Sequence, residues 1–311
     1  TSASAPGKII LLGEHAVVYH RPALAIPVRN VRAAVTVQTP SNLDRADIFI
    51  QAVNLGTSFW LQEAEADDPL AHITRLTLHK LSQPLHVPLT ITVESTIPIA
   101  AGLGSGAAVS IALARALGQH FQHPFGAQEL SDLAFEVEKI HHGTPSGIDN
   151  TVIAFDQPVY YVKGSSPGTL TLGGQFTFVI ADSGIESSTA VAVGRVRQGW
   201  DSNPDRFDGC FDQMGRLTQR GRKAIEEGDQ QSLGGLMNEN HALLNEIGVG
   251  LPQLDDIVQA ARAAGALGAK LSGAGLGGNC IALANPSNAE AVESAMRAAG
   301  AVWSTQTEVA A

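Results

Sequence analysis

Three charged side chains stand in stretches of this sequence that are otherwise apolar or rich in small residues. Lys8 precedes the apolar run 9–12, Asp149 follows a Pro-Ser-Gly-Ile segment, and Glu138 lies eleven positions before Asp149. A cation at the head of a buried strand can neutralise an anion, and a half-buried carboxylate needs a cation or a metal as its partner. Each residue also has an ordinary interpretation: a lysine that snorkels at a strand edge, a glutamate in a salt bridge, and an aspartate that caps a helix or forms an Asx-turn.

Helical periodicity over residues 128–142 places Glu138 at the border between an apolar and a polar face. The apolar stripe consists of Leu130, Leu133, Ala134, Val137 and His141. At roughly 100° per residue, Glu138 lies roughly 80° from the first residue of that stripe, whereas Glu136 and Lys139 face the opposite side. His141 and His142 point to different faces, and the sequence has no HExxH motif, so this helix offers no histidine pair for zinc.

Two glycine-rich segments, 98–106 and 272–278, have the composition of phosphate-binding loops. A glycine loop that leads into a helix offers free N–H groups and the positive end of the helix dipole. Residues 105–119 are small and apolar almost all round, and they predict such a helix after the first loop. No charged residue occurs between Glu94 and Arg115, so this loop lacks the lysine of a Walker A motif and backbone amides would hold the phosphates.

The second segment contains a GxGxxG pattern from Gly273 to Gly278, which alone is a weak signal for a dinucleotide. An extended apolar run, 279–283, follows it where a dinucleotide-binding fold requires a helix, so the context argues against that site. The alternative for both segments is a tight turn between packed elements, because glycine is the default turn residue.

The bulk composition describes a folded, acidic protein. The 311 residues are 44% hydrophobic and 16% charged, and 20 lysines and arginines against 30 carboxylates give a net charge of −10. A negative chain repels polyanions, so neither a nucleic acid nor a membrane is expected as a partner. Cys210 and Cys280 stand 70 positions apart, which excludes a disulfide scaffold or a cysteine zinc site and indicates a reducing, cytoplasmic compartment.

One uncharged stretch, residues 95–114, is as long as a membrane-spanning helix. Pro98, Gly102, Gly104 and Gly106 would open the backbone inside lipid. The stretch is therefore interpreted as the end of a strand, a glycine loop and a buried helix.

Strand and helix patterns alternate irregularly along the chain. They predict strands at 8–12, 28–39, 89–94, 159–162, 177–181, 269–271, 280–283 and 302–307. They predict helices at 68–82, 105–119, 128–142 and 287–299, and a mostly helical chain over 189–265. Without a strict βαβ repeat the fold class is α+β rather than a doubly wound parallel sheet. The Gly- and Ser-rich stretch 164–174 is the expected boundary between an N-terminal domain of residues 1–168 and a C-terminal domain of residues 169–311.

Several of these segments together resemble the GHMP small-molecule kinase superfamily, and within it most closely the mevalonate kinase family. The matching segments are PGKIILLGEHAVVY at 6–19, PIAAGLGSGAAVSIALA at 98–114, HGTPSGIDNTV at 142–152, NHALLNEIGVGLPQL at 240–254 and KLSGAGLGGNCIAL at 270–283. Their order and spacing make the resemblance far more specific than any single loop. It implies a two-domain fold, with an N-terminal domain like ribosomal protein S5 domain 2, which binds ATP and magnesium, and a ferredoxin-like C-terminal domain.

The resemblance implies an ATP-dependent kinase that phosphorylates the primary hydroxyl of mevalonate, giving 5-phosphomevalonate and ADP in isoprenoid synthesis. Its partners would be ATP, Mg²⁺ and mevalonate, and a homodimer is an option because dimers are common in that family. Two alternatives keep the fold: a kinase for phosphomevalonate, homoserine or a sugar, and the related ATP-dependent decarboxylase. A catalytically silent nucleotide-binding regulator is a third, but it would need no equivalent of Lys8, Glu138 and Asp149 together.

The same resemblance assigns roles to individual positions. Asp149 would be the base for the substrate hydroxyl and Lys8 its neighbour, a coherent pair because an ammonium stabilises both a carboxylate and a developing alkoxide. Nucleotide-binding positions would be Gly102, Leu103, Gly104, Ser105, Gly106, Ala107 and Asn54. Positions near the mevalonate pocket would be Glu14, His15, Ser146, Thr189, Gly273 and Ala274.

The expected magnesium site departs from the family pattern. Glu138 would bind Mg²⁺, but many relatives carry a second serine after the GLG sequence, and here that position is Gly106. Either Ser105 or a water takes its place, or the metal depends on Glu138 and the phosphates alone.

Overall fold

The computed structural model describes residues 1–40, 46–98, 101–142, 145–165, 167–186 and 188–310. The described residues form two compact units that are interleaved along the chain. The first unit comprises Thr1–Lys8, Pro27–Pro98 and Gly104–Asp156. The second comprises Ile9–Ile26, Ile99–Leu103 and Gln157–Ala311. The expected boundary at residues 168 and 169 divides the chain into two consecutive domains rather than interleaved units, and it stays a prediction.

Among the described residues, five strands contribute to the sheet of the first unit, and the first two of them extend into the second unit. The strands are β1 (Ser2–Leu12), β2 (Ala23–Gln38), β3 (Ile48–Ala52), β4 (Thr57–Trp60) and β5 (Leu89–Ser95). Their order is β4-β3-β5-β2, with β1 also paired to β2. The pair β3 and β5 is parallel, whereas β3 with β4 and β2 with β5 are antiparallel. Alternating side chains bury one face of β5 and leave the other face partly exposed.

Four described helices belong to the first unit. They are α1 (Pro69–Lys80), α2 (Ser105–His120), α3 (Ala127–His142) and α4 (Ile148–Phe155). Asp68 caps α1 by accepting a hydrogen bond from the Ala71 amide at 2.8 Å, and Pro69 occupies the first helical position, where its missing N–H costs nothing. Helix α2 is buried on most of its surface, as its small apolar residues predict.

The second unit contains the remaining strands and helices. The strands are β6 (Val159–Tyr161), β7 (Gly168–Thr169), β8 (Phe176–Asp182), β9 (Gly268–Ser272), β10 (Asn279–Ala284) and β11 (Trp303–Val309). The helices are α5 (Thr189–Ser202), α6 (Pro204–Glu227), α7 (Gln230–Glu246), α8 (Pro252–Ala263) and α9 (Ala289–Ala298). Among the described residues, four strands form an antiparallel sheet in the order β11-β8-β10-β9. The first residues of β2 pair with β6, and β6 pairs with β7.

The α+β fold class is confirmed, and most predicted elements lie within a few residues of their expected bounds. The stretch 95–114 is a strand end, a turn and a buried helix as expected, although residues 99 and 100 lie outside the described part. In the described part of the chain, no helix combines the length and the hydropathy that crossing a membrane requires. The second glycine segment joins two antiparallel strands, β9 and β10, so the extended run predicted at 279–283 is confirmed.

The sequence did not predict β3, β4, β7 or α4. Helix α4 has eight residues, too few for a helical period to emerge from the sequence pattern, and its first turn contains Asp149. The aspartate interpreted as part of a Pro/Ser/Gly turn is therefore a helical residue.

Candidate active site

Lys8 and Asp149 form an ion pair inside the first unit. The Lys8 Nζ lies 3.0 Å from the Asp149 Oδ1. The Lys8 side chain is 6% exposed and that of Asp149 is 27% exposed, so the ammonium is buried while the carboxylate remains accessible to a ligand. The expectation that these two residues are neighbours is confirmed by this distance.

Helix α4 holds Asp149 in its first turn, near the positive end of the helix dipole. The helix begins after Gly147, whose φ of 84° is a conformation that glycine adopts without strain. Next to Asp149, the buried Asn150 donates from Nδ2 to the Ser131 carbonyl at 3.1 Å and to the Ser131 Oγ at 2.7 Å. Ser131 lies on α3, so these two bonds fix the start of α4 against α3.

Glu138 lies on α3 and is affected by the charges of both members of the pair. Burial and the negative charge of Asp149 raise the pKa of Glu138 to about 8, and the Lys8 ammonium opposes that rise. The apolar stripe predicted for this helix is confirmed at four positions: Leu130, Leu133, Ala134 and Val137 are all buried. The fifth, His141, has a side chain outside the described part. Glu138 is half-buried, and a carboxylate in such a place beside another carboxylate is a position at which a cation is stabilised.

The stem of Lys8 lies against Gly104, the residue that precedes α2. A Cβ atom on Gly104 would lie 3.0 Å from the Lys8 Cγ and 2.9 Å from the Ile153 Cδ1, and Gly104 has a φ of +73°. Both the backbone conformation and the space therefore require glycine here. Ser105 is the first residue of α2, and a Cβ on Gly106 would meet no heavy atom within 4 Å. The free amides at this end of α2 suit an anionic phosphate.

The preceding part of the first glycine loop belongs to the second unit. Asn279, at the start of β10, donates from Nδ2 to the Ala101 carbonyl. Gly102 is exposed with a φ of +71°, whereas Leu103 is buried. Asn279 thus anchors the backbone on which the expected phosphate contacts of Gly102 and Leu103 depend.

A second buried ion pair lies within the second unit. Glu14 is 1% exposed, and its Oε1 pairs with the Nζ of Lys270, which is 0% exposed. The Glu14 Oε2 accepts from the Nδ2 of Asn240 on α7 at 3.0 Å. Both oxygens of this carboxylate therefore have partners on other elements of the unit.

His15 follows Glu14 in a strained backbone conformation. Its φ of 58° lies in the left-handed region, which a residue with a side chain adopts only when its surroundings enforce it. The Nε2 of His15 lies 2.8 Å from the Ala274 carbonyl, and because a carbonyl only accepts, Nε2 carries the proton. Burial lowers the pKa of His15, which keeps the ring neutral. Two predicted mevalonate positions, His15 and Ala274, are thus in direct contact.

The other predicted site residues lie at several places in the fold. Ser146 is half-buried, and its Oγ accepts from the Ile148 amide at 3.4 Å. Thr189 is exposed as the first residue of α5. Asn54 is exposed in a short 3-10 turn, where its Oδ1 accepts from the Ser95 amide at 2.6 Å. Ala107 is buried on α2, and Gly273, with a φ of +90°, begins the turn after β9. Their roles stay predictions.

Sequence reasoning missed Lys270, Asn240 and Asn150. The signal for Lys270 was present, because it is a single charge inside the apolar strand that became β9. Asn240 and Asn150 gave no such signal, since an asparagine within a helix is ordinary until its partner on another element is known.

The donor set limits which metal the first unit could hold. Within the described residues, no group of three or more His, Cys, Asp or Glu side chains could enclose a metal ion. Mg²⁺ fits this arrangement, because it is commonly held by one or two carboxylates together with waters and substrate phosphates. The half-buried Glu138 carboxylate and the hydroxyl of Ser105 are the side chains that could hold it.

These features together suit the transfer of a phosphoryl group to an alcohol. An accessible carboxylate can take a hydroxyl proton, an ammonium can stabilise the oxygen that loses it, and helix N-terminal amides can hold a polyphosphate. Most of the catalysis in such a reaction comes from positioning and charge neutralisation.

Two family models match this chain. The model described as the GHMP kinases N terminal domain matches residues 71–157, and the model described as GHMP kinases C terminal matches residues 222–302.

Individual proteins are similar to the chain over nearly its whole length. The mevalonate kinase of Thermococcus sibiricus is 35% identical over 313 residues, covering 96% of this chain and 93% of the relative. The mevalonate kinase of Pyrococcus abyssi is 34% identical over 318 residues, covering 96% and 92%. The crystal structure of L. major mevalonate kinase in complex with R-mevalonate has a TM-score of 0.82 and 29% sequence identity, covering 100% of this chain and 96% of that one.

Proposed function

The chain belongs to the mevalonate kinase family of the GHMP kinases, and we propose that it transfers the γ-phosphoryl group of ATP to the primary hydroxyl of mevalonate. The products are 5-phosphomevalonate and ADP. The observation that carries the assignment of catalytic residues is the ion pair of Lys8 and Asp149 at 3.0 Å, with the half-buried Glu138 carboxylate close enough to be affected by both charges.

Asp149 acts as the general base. As the hydroxyl oxygen of mevalonate forms its bond to the γ-phosphorus, the hydroxyl proton passes to the Asp149 carboxylate. The bond between the γ-phosphorus and the bridging oxygen breaks, and its electron pair leaves with ADP. Lys8 holds Asp149 in place and stabilises the negative charge that develops on the attacking oxygen.

The start of α2 holds the phosphates through its backbone. Gly104, Ser105 and Gly106 supply amides at the positive end of the helix dipole, and the absence of a side chain at Gly106 leaves room for close approach. Glu138 and Ser105 would hold the Mg²⁺ that accompanies ATP, and the metal would neutralise phosphate charge.

The mevalonate side of the site is assigned from the resemblance and from the contacts around His15. His15 donates to the Ala274 carbonyl, so the turn after β1 and the turn after β9 are held together. We assign mevalonate recognition to these two turns, which contain Glu14, His15, Gly273 and Ala274, together with Ser146 and Thr189.

The substrate assignment is tested with a panel of alcohols. ADP release is measured with mevalonate, phosphomevalonate, homoserine and galactose, and mevalonate should give a kcat/KM at least about tenfold above the others. Asp149→Asn serves as the inactive reference. Asp132→Asn, an exposed carboxylate on α3, is the matched control. If mevalonate is no better than another alcohol, the substrate assignment is wrong.

The remaining alternatives have their own readouts. Carbon dioxide released from a diphosphorylated substrate would identify the decarboxylase instead. ATP binding without ADP release in the presence of any alcohol would identify a regulator that binds nucleotide without catalysis.

A further inference from the structure

Glu14 is unsuited to direct contact with a ligand. Its side chain is 1% exposed, Lys270 takes Oε1, and Asn240 takes Oε2. An ionised carboxylate accepts hydrogen bonds at both oxygens, and here both already have partners inside the unit. A substrate hydroxyl would have to displace one of them.

Lys270 is a fully buried cation whose ammonium is paired inside the protein. It is 0% exposed, and its Nζ donates to Glu14 and, at 2.6 Å, to the Leu271 carbonyl. Replacing a buried ion pair with apolar residues is often neutral or stabilising, because the desolvation of two charges offsets their attraction. One use of such a pair is to fix a geometry that apolar packing would not specify.

Asn240 fixes the orientation of the Glu14 carboxylate. Its Nδ2 must face Glu14, because its Oδ1 would repel the carboxylate. With Lys270 on β9 and Asn240 on α7, the carboxylate is held from two elements, so it has one orientation.

His15 follows Glu14 directly, and both its backbone and its ring are constrained. His15 has a φ of 58° and donates to Ala274, and the Ser272 Oγ donates to the Ile10 carbonyl at 2.8 Å. The end of β1 and the residues after it are thus joined to β9 and its following turn at three points, one of which is the Glu14–Lys270 pair.

We propose that Lys270 and Asn240 are positioning residues that act through Glu14 to hold His15 in its left-handed conformation against the turn after β9. Glu14 then shapes the mevalonate side of the site without touching mevalonate. This inference rests on the proposed function for its kinetic readout only, because the state of the His15 ring can be measured without substrate.

The first test separates positioning from stability. Lys270→Met should lower Tm by about 10 °C, since it strands a buried carboxylate. Lys270→Met combined with Glu14→Met should recover most of that Tm, because neither charge remains. The KM for mevalonate should still be at least about tenfold above wild type in the double variant, with the KM for ATP changed less than about twofold. If the double variant regains both Tm and the KM for mevalonate, the pair is purely structural and the proposal is wrong.

A milder variant keeps the test decisive if Lys270→Met does not fold. Asn240→Leu removes one hydrogen bond from Glu14 and leaves the ion pair intact. It should raise the KM for mevalonate about threefold or more, and an unchanged KM would contradict the proposal. Lys223→Met with Glu227→Met, an exposed pair 3.7 Å apart on α6, is the matched control, for which Tm and both KM values should stay at wild type.

The His15 ring provides a readout that is independent of substrate. Two-bond ¹H–¹⁵N spectra should show the Nε2–H tautomer in wild type, with His15→Gln assigning its signals among the ten histidines. The folded double variant of Lys270 and Glu14 should show mixed tautomers, and a retained Nε2–H signal would overturn the proposal. A wild-type protein with the expected ring signal but no activity on mevalonate would refute the proposed function and leave the positioning role standing.

Discussion

The Lys8 Cγ lies 3.0 Å from the point that a Cβ on Gly104 would occupy. The residue that precedes α2 and the lysine that pairs with Asp149 are therefore in van der Waals contact. The first glycine loop and the ion pair cannot be changed independently, and this coupling can be tested directly.

We expect Gly104→Ala to impair both activity and stability. Its Cβ collides with Lys8 and Ile153, and the φ of +73° strains any residue with a side chain. The free energy of unfolding should fall by about 1 to 3 kcal/mol in urea titrations, and kcat should fall about tenfold. Gly106→Ala is the comparison for stability: it meets open space on α2 and should raise the free energy of unfolding by about 1 kcal/mol. Equal destabilisation by the two variants would contradict the steric argument.

Asp149→Asn should leave nucleotide binding nearly intact and remove most of the turnover. The amide keeps the shape of the side chain but cannot accept the hydroxyl proton as a carboxylate does. Steady-state kinetics should show kcat lowered by about 10² to 10⁴, with the KM for ATP within a few-fold of wild type. A variant that retains more than half the wild-type rate would exclude Asp149 as the base.

Glu138→Gln should weaken the dependence of activity on magnesium without unfolding the protein. Burial and the charge of Asp149 both oppose the charged form of Glu138, so an uncharged residue of the same shape should leave Tm unchanged or higher. The Mg²⁺ concentration for half-maximal activity should rise about tenfold or more. An unchanged magnesium titration would remove Glu138 from the metal site.

The bonds from Asn150 to Ser131 should matter for rate as well as for stability. Asn150→Ala and Ser131→Ala should each lower the free energy of unfolding by about 1 to 2 kcal/mol, because each removes a buried hydrogen bond partner. Each should also lower kcat several-fold by loosening the start of α4. The double variant should lose less than the sum, since the two side chains share one interaction. If the losses in free energy of unfolding of the two single variants add up to that of the double variant, the two side chains are not energetically coupled.

His241 should make the folded protein less stable in mild acid. It is 6% exposed, accepts from the Leu271 amide, and donates from Nε2 to Asp255 at 2.9 Å. Burial, helped by the charges of Arg262 and Lys270 and opposed by Asp255, lowers its pKa to about 4. The unfolded chain, with a pKa near 6.5, takes up the proton first, so stability present at neutral pH is lost as pH falls from about 6.5 towards 4.

Urea titrations at two pH values measure this effect. Between pH 7 and pH 5, His241 should account for about 2 kcal/mol of the wild-type loss. His241→Gln should lose correspondingly less over the same interval. His79→Gln, on the exposed face of α1, should keep the wild-type loss. The same pH dependence in both variants would show that His241 is not responsible.

Sequence periodicity was sufficient for the long elements of the fold. Helices α2 and α3 and strand β5 lie within a residue or two of their predicted bounds, because each buries a regular face that the pattern reveals. Helix α4 has no such face. Its start depends on Gly147 and on the Asn150–Ser131 bonds, which join positions nineteen residues apart.

The candidate site was predictable where a charge stood alone among apolar residues. Lys8 is such a case, and its predicted partner Asp149 is in contact with it. The partners of Glu14 were not predictable, because Lys270 and Asn240 lie 256 and 226 positions away along the chain. The burial of Glu14 was not predictable either. The sequence indicated a residue near the ligand, whereas in the fold both carboxylate oxygens of Glu14 are bound to other side chains of the protein.

The interleaving of the two units has a consequence for synthesis on the ribosome. Ile9–Ile26 leaves the ribosome early but belongs to the unit that is otherwise mostly built from Gln157 onwards. Glu14 therefore has neither of its partners until Asn240 on α7 and Lys270 on β9 have been synthesised. Nascent chains that stall before Lys270 are expected to hold an unpaired N-terminal segment that chaperones can bind.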